Sequence, residues 1–155
     1  MALTIYLGAD HRGFALKEQV RAWLAAQGHK VLDVGATVLD ASDDYPDFGY
    51  QAARKVAADP ESRGILFCGS GIGIAVAANK VKGVRASLVT TPELARMVRN
   101  DEDLNVLSLS ADYTDFETAK KIIVVFLATP FSNEDRHHRR KDKIARIEDE
   151  SYSGN

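Results

Sequence analysis

Short apolar runs alternate with amphipathic stretches along the whole chain. "LTIYLG" is β-rich, ends in glycine and predicts a strand. "FALKEQVRAWLAAQGH" carries Leu16, Val20, Trp23 and Leu24 at helical spacing, and Gly28 stops it. "KVLDVG" predicts a second strand. "DDYPDFGYQAARKVAAD" opens with turn residues and continues as a helix. "RGILFCG" is almost wholly apolar, as expected of a strand covered on both faces. "IGIAVAANKV" predicts a helix of small residues, and "GVRASLV" a fourth strand. "TPELARMVRN" sets Thr91 before Pro92, a capping residue followed by proline at the first helical position. "NVLSLS" predicts a fifth strand, "DFETAKKIIVVFLAT" a long helix, and "RHHRRKDKIARIEDE" a last, highly charged one.

Strands that alternate with helices call for a parallel sheet with helices on both faces and right-handed crossovers, an α/β fold. No internal repeat or low-complexity segment divides the chain. Residues 1–150 read as one domain that includes the charged C-terminal helix, and 151–155 as a frayed tail. In such sheets ligands bind beyond the carboxyl ends of the strands. Those ends hold "GADHR", the Asp44–Tyr45 pair, "CGSGIG", Thr90–Thr91 and "SAD" at 110–112.

Composition narrows the class without naming the chemistry. At 155 residues and 45% hydrophobic, the chain can bury one ordinary core. A net charge of −2 gives no bulk attraction to nucleic acid or to a membrane surface. No apolar run approaches the roughly 20 residues needed to span a bilayer, and "MALTIYLGADHRG" lacks the marks of a signal peptide. The single cysteine cannot form an internal disulfide. These features lead us to expect a cytoplasmic protein.

Three places carry candidate chemistry. In the first, Gly69, Gly71 and Gly73 let backbone approach a ligand closely, and the helix that starts there points unpaired N–H groups at it. That suits a phosphate or an enolate oxygen equally. A dinucleotide fingerprint fails at Ile74, and no Gly-Lys-Ser/Thr loop is present. Cys68, beside those glycines, is either an inert core residue or a thiolate favoured by the helix N-terminus. Ser70 stands two residues on. In the second place, Asp10 and His11, with Arg12, set an acid, an imidazole and a cation at one strand end; a simple helix cap explains the Asp-His pair as well. In the third, Arg136 and Arg140 share a helical face and suit a bidentate phosphate grip, against the alternative of a solvated charged face. The spacing of His, Cys and acidic residues suggests no metal site.

"GADHRGFALKE", "DYPDFG", "ILFCGSGIGIAVAANKVKGVRAS", "NVLSLS" and "RHHRRKDKI" fall in the order seen in the B-type ribose-5-phosphate isomerases, a group that includes the galactose-6-phosphate isomerase subunits. The chain resembles that family over roughly residues 4 to 150. The resemblance implies a Rossmann-like three-layer α/β/α sandwich around a five-stranded parallel sheet. It implies aldose–ketose isomerisation of a phosphosugar, without metal or cofactor, in a homodimer or tetramer whose sites lie between subunits. By position, Cys68 is the base that moves a proton between C1 and C2, and Ser70 assists it. The segment Gly69, Gly71, Ile72 and Gly73 holds the enediolate through its amides. Asp10, Tyr45 and Asn79 belong to the sugar-binding set, while His11, Arg136 and Arg140 contact phosphate or the sugar's far end.

Two positions depart from the family pattern. A His-Asn pair usual shortly before the fifth strand is replaced by Asp101-Glu102, and an arginine usual just after it is replaced by Asp112. Asp101 is then the candidate ring-opening acid/base, though an aspartate at neutral pH offers a proton less readily than an imidazole. Two added carboxylates are expected to repel phosphate. The resemblance favours conversion of ribose 5-phosphate to ribulose 5-phosphate or a close relative, and the two departures hint at the alternative, isomerisation of a different C4–C6 sugar phosphate. A non-catalytic sugar-phosphate-binding subunit and a nucleotide-binding α/β module are the alternatives.

Overall fold

The computed structural model describes residues 1–153. Five strands form one sheet: β1 (Thr4–Ala9), β2 (Lys30–Asp33), β3 (Arg63–Cys68), β4 (Ala86–Leu88) and β5 (Val106–Ser110). The helices are α1 (Phe14–Ala26), α2 (Tyr45–Ala58), α3 (Ile72–Ala78), α4 (Pro92–Glu102), α5 (Phe116–Ala128) and α6 (Asp135–Ser153). Strand order is β2-β1-β3-β5-β4, and every pairing is parallel.

The pleat explains the three layers. Along β3, Ile65 and Phe67 point into one core with Leu16, Val20, Ala95 and Ile122 of α1, α4 and α5. Leu66 and Cys68 point into the other, with Ala52, Ala53 and Val56 of α2 and Ile74 and Ala78 of α3. A strand buried on both faces has no place for polar alternation, which is why "ILFC" reads as a continuous apolar run. Helix ends follow their local signals. Thr91 Oγ1 accepts the Leu94 N–H at 3.1 Å ahead of Pro92, and Asp115 Oδ1 accepts the Thr118 N–H at 2.7 Å. Gly28, at φ 86°, ends α1.

Connections leave the sheet in opposite directions on either side of the β1–β3 pair. From β1 the chain crosses through α1 to β2, and from β3 it crosses through α3 to β4 on the far edge. Helices α1 and α3 lie on opposite faces, so a crevice opens at the carboxyl ends of β1 and β3.

Two features were not visible in the pattern. Lys17 lies on the buried face of α1 with no exposed surface; its Nζ reaches Asp33 at 2.5 Å and donates to the Ala36 carbonyl at 2.6 Å. Helix α6 runs through Ser153, beyond the boundary expected at 150, so residues 151–153 are helical rather than frayed. Residues 154 and 155 of the expected tail lie outside the described residues.

Candidate active site

Cys68 ends β3 at the crevice and is 3% exposed. The Gly71 N–H donates to its Sγ at 3.1 Å. Gly71 takes φ 75°, and a Cβ there would stand 2.7 Å from Leu88 and 2.9 Å from the backbone of Leu109 and Ser110. Both facts exclude an L side chain at the turn that brings this amide back onto the sulfur. The Ile72 N–H donates to Ser70 Oγ at 3.1 Å.

The loop is clamped from the neighbouring strand. Ser110 Oγ donates to the Gly69 carbonyl at 2.7 Å, and Ser108 Oγ to the Gly71 carbonyl at 2.6 Å. The Ala111 and Asp112 N–H groups donate to the carbonyls of Cys68 and Gly69. Ser108 and Ser110 are fully or almost fully buried. These serines were missed as supporting residues; the signal was two hydroxyls alternating within an otherwise buried strand.

A cavity of about 310 Å³ opens over Cys68. Asp10 enters from the end of β1, 4% exposed, with one carboxylate oxygen accepting the Gly13 N–H at 3.0 Å. It caps the turn into α1 and faces the cavity at the same time. Tyr45, at the start of α2, lays its ring against Gly73; a Cβ there would be 2.6 Å from Tyr45 Cζ. Ser70, Ile72 and Gly73 complete the wall together with Gly69 and Arg12. Arg12 was noted only as a neighbour of His11. Its guanidinium pairs with Asp112, so that carboxylate is offset by a cation and is not the bare repulsive charge expected.

His11 stands beside the cavity without lining it. Its backbone N–H donates to Asp43 Oδ1 at 2.8 Å, and its Nδ1 lies 2.7 Å from the same oxygen. That side-chain hydrogen bond, aided by the charges of Asp10 and Asp43, raises the imidazole above its usual pKa; partial desolvation opposes it. Asp43 Oδ2 is buried with no hydrogen-bond partner among the described residues. Asp43 was missed because only folding brings residues 11 and 43 together.

The remaining expected residues are elsewhere in this chain. Asn79 does not face the cavity: its side-chain amide bonds both the N–H and the C=O of Ala86 at 2.8 Å, which joins α3 to β4. An amide with both ends engaged by backbone has little left for a sugar. Asp101 accepts from Asn100 Nδ2 at 2.7 Å and lies 3.8 Å from Nε2 of His137. His137 is 2% exposed, with Ser132 Oγ 2.6 Å from its Nδ1. Arg136 pairs with Glu134 at 2.9 Å, and Arg140 stands exposed on α6. None of Asp101, Arg136 and Arg140 lines the Cys68 cavity of its own chain. Among the described residues no cluster of His, Cys, Asp or Glu is arranged to hold a metal, and no helix is long and apolar enough to cross a membrane.

Residues 5–144 match the model of a family described as Ribose/Galactose Isomerase. Ribose-5-phosphate isomerase B of Mycolicibacterium paratuberculosis is 41% identical over 146 residues, 94% of this chain and 92% of that protein. The protein of the same name from Escherichia coli is 38% identical over 144 residues, 93% of this chain and 95% of that one. The crystal structure of ribose-5-phosphate isomerase B from Mycoplasma genitalium with bound ribulose 5-phosphate superposes with a TM-score of 0.92 at 41% identity; the match covers 97% of this chain and 99% of that one.

Proposed function

The chain belongs to the ribose/galactose isomerase family, and on that premise we propose that it interconverts aldose and ketose forms of a phosphosugar through an enediolate, with Cys68 as the base. Ribose 5-phosphate and ribulose 5-phosphate are the first pair to consider, and other C4–C6 sugar phosphates the alternatives. The observation that carries this reading is the setting of Cys68 Sγ: it lies at the sheet's crevice, faced by the Gly71 N–H and surrounded by Asp10, Tyr45 and Ser70.

The mechanism follows from that setting. The thiolate takes the proton on the carbon beside the substrate's carbonyl, and the bonding pair moves onto the carbonyl oxygen. The same sulfur returns the proton to the former carbonyl carbon, while the proton of the neighbouring hydroxyl passes to the former carbonyl oxygen, so that carbonyl and hydroxyl exchange places and aldose becomes ketose. The proton is weakly acidic, so stabilising the enediolate is the larger task. A loop held by Ser108 and Ser110 keeps its amides and the Ser70 hydroxyl aimed before the charge develops. Asp10 accepts from sugar hydroxyls, and Tyr45 packs against the ring or chain of the substrate. A cavity of about 310 Å³ is at the small end of ligand sites and suits a phosphosugar better than a dinucleotide.

A second copy of the chain completes the site in this reading. Asp101, Arg136 and Arg140, which do not line their own cavity, contribute from the partner, Asp101 to ring opening and the arginines to phosphate. Exposed Ile72 and Val76 on α3, and Tyr45 beside them, offer an apolar patch next to the cavity mouth. The single cysteine, free rather than disulfide-bonded, fits a cytoplasmic enzyme.

The test is turnover by the purified protein of a panel of C4 to C6 aldose phosphates, beside Cys68→Ala. The expected result is isomerisation of one of them, lost in the variant. No turnover of any, or full activity of Cys68→Ala, overturns the reading.

A further inference from the structure

Arg12 is the only cation among the residues that line the Cys68 cavity. Its guanidinium lies over Gly69: a Cβ at that glycine would be 2.3 Å from Arg12 Cζ, 2.5 Å from Nε and 2.7 Å from Nη1. The absence of a side chain at 69 is what lets the guanidinium reach the loop that follows the base. Nη2 is held by Asp112 Oδ2. Asp112 is itself tied to the same loop, its N–H donating to the Gly69 carbonyl at 3.1 Å. Ser110 Oγ bonds that carbonyl at 2.7 Å. The ends of β1, β3 and β5 therefore meet at one glycine, and a guanidinium lies across it.

A phosphate monoester is mostly dianionic at neutral pH and needs fixed donors with positive charge. One arm of Arg12 is engaged by Asp112, while Nε and Nη1 bond no other described residue. Nε–H and Nη1–H leave different edges of the guanidinium, so each can donate to a separate anion oxygen while the cation supplies the charge. More than half of the Arg12 side chain is exposed, so an incoming ligand can reach it.

We infer that Arg12 is a phosphate-binding residue of this site, and that Asp112 is the competing anion that holds the guanidinium over Gly69 and weakens its grip on other anions. The inference rests on the phosphosugar reading above for its substrate, but inorganic phosphate alone can test it. Asp112 offsets one unit of positive charge, so removing it should tighten phosphate binding, and removing Arg12 should weaken it.

The experiment follows the protection of Cys68 from iodoacetamide by inorganic phosphate, in parallel with isomerase kinetics, for the full chain. In Arg12→Ala the phosphate concentration giving half protection should rise about tenfold or more, and KM should rise by a larger factor than kcat falls. Arg12→Lys should lie between the two proteins, since it keeps the charge and loses the guanidinium's spread of donors. Asp112→Asn should lower the half-protection concentration about threefold. A folded Arg12→Ala whose protection curve and KM stay within about twofold of the parent overturns the role of Arg12. A raised half-protection concentration in Asp112→Asn overturns the competing role of Asp112. The two readings fail separately. A protein that isomerises a sugar phosphate yet ignores the Arg12 substitution refutes this inference alone. One that turns over nothing, while Arg12→Ala still shifts the protection curve, refutes the proposed reaction and keeps the phosphate site.

Discussion

The β3–α3 loop and the α4–β5 junction are both held rigidly, by opposite means. The loop from Cys68 to Ile72 contains no charged residue. Hydroxyls and amides of β5 fix its carbonyls, and its own amides face Sγ and Ser70 Oγ. The junction is built from charge. Arg99 is 4% exposed and donates to the Leu104 carbonyl at 2.5 Å and to Asp103 Oδ1 at 3.0 Å. The other oxygen of Asp103 receives Arg85 and Lys141, each at 3.0 Å. Burial, then the charge of Arg63, pulls the Arg99 guanidinium below its usual pKa. For Asp103 burial pushes the other way, but Lys141, Arg85 and Arg99 outweigh it and hold the carboxyl below the usual range. Neutral dipoles aim a loop whatever the pH, which a proton-transfer site needs. A charge cluster ties three segments together but depends on keeping every partner.

The largest separation between the regions should come from Cys68→Ala. Turnover should fall about 10³-fold with the melting temperature close to that of the parent, as followed by kinetics and calorimetry. Asp103→Asn should do the reverse. It retains a residue that tolerates the left-handed backbone at φ 51° and removes the charge facing three cations. A loss of about 2 to 3 kcal/mol in denaturant unfolding is expected, with Cys68 chemistry little changed. A lowered folded pKa means the stabilisation by Asp103 is complete above the unfolded value of about 4 and is lost as pH falls through the folded one. Melting followed between pH 3 and 5 should therefore drop more steeply in the parent than in Asp103→Asn.

Ser110→Ala joins the two effects. It leaves the buried Gly69 carbonyl with only the Asp112 N–H, and should cost about 1 to 2 kcal/mol while lowering kcat. A variant with lowered stability and unchanged kcat would show that the loop keeps its aim without the clamp.

The smallest effect is at His11. Asp43→Asn removes the carboxylate that raises the imidazole pKa, so its titration should move down toward 6.5, read by NMR. In the parent, the contribution of this pair to stability is complete below 6.5 and fades as pH rises through the folded value. A titration that does not move would place the cause of the shift elsewhere.

Legibility followed the same division. The loop was readable because its chemistry is contiguous: Cys68, Ser70 and three glycines lie within six residues. The α4 start was readable because a cap acts on its own helix, as Thr91 does on Leu94. The Asp43–His11, Arg12–Asp112 and Lys17–Asp33 pairs were not, since 32, 100 and 16 residues separate their partners. Asn79 was misplaced for a related reason, because its partner Ala86 sits on a neighbouring element.

The sequence by itself determined the order of strands and helices, the both-sided burial of β3 and the place of the glycine turn. Periodicity and capping are local, and an apolar run covered on both faces has one plausible home in an α/β chain. The tertiary structure alone decided which charges meet across elements. Sheet order brought the ends of β1, β3 and β5 together, set Arg12 over Gly69 beside Asp112, and left Asp101 and the arginines of α6 outside their own chain's cavity. Helical spacing encodes pairs three or four residues apart, such as Arg99 and Asp103, but partners on different elements are chosen by proximity in space, which no pattern along the chain encodes.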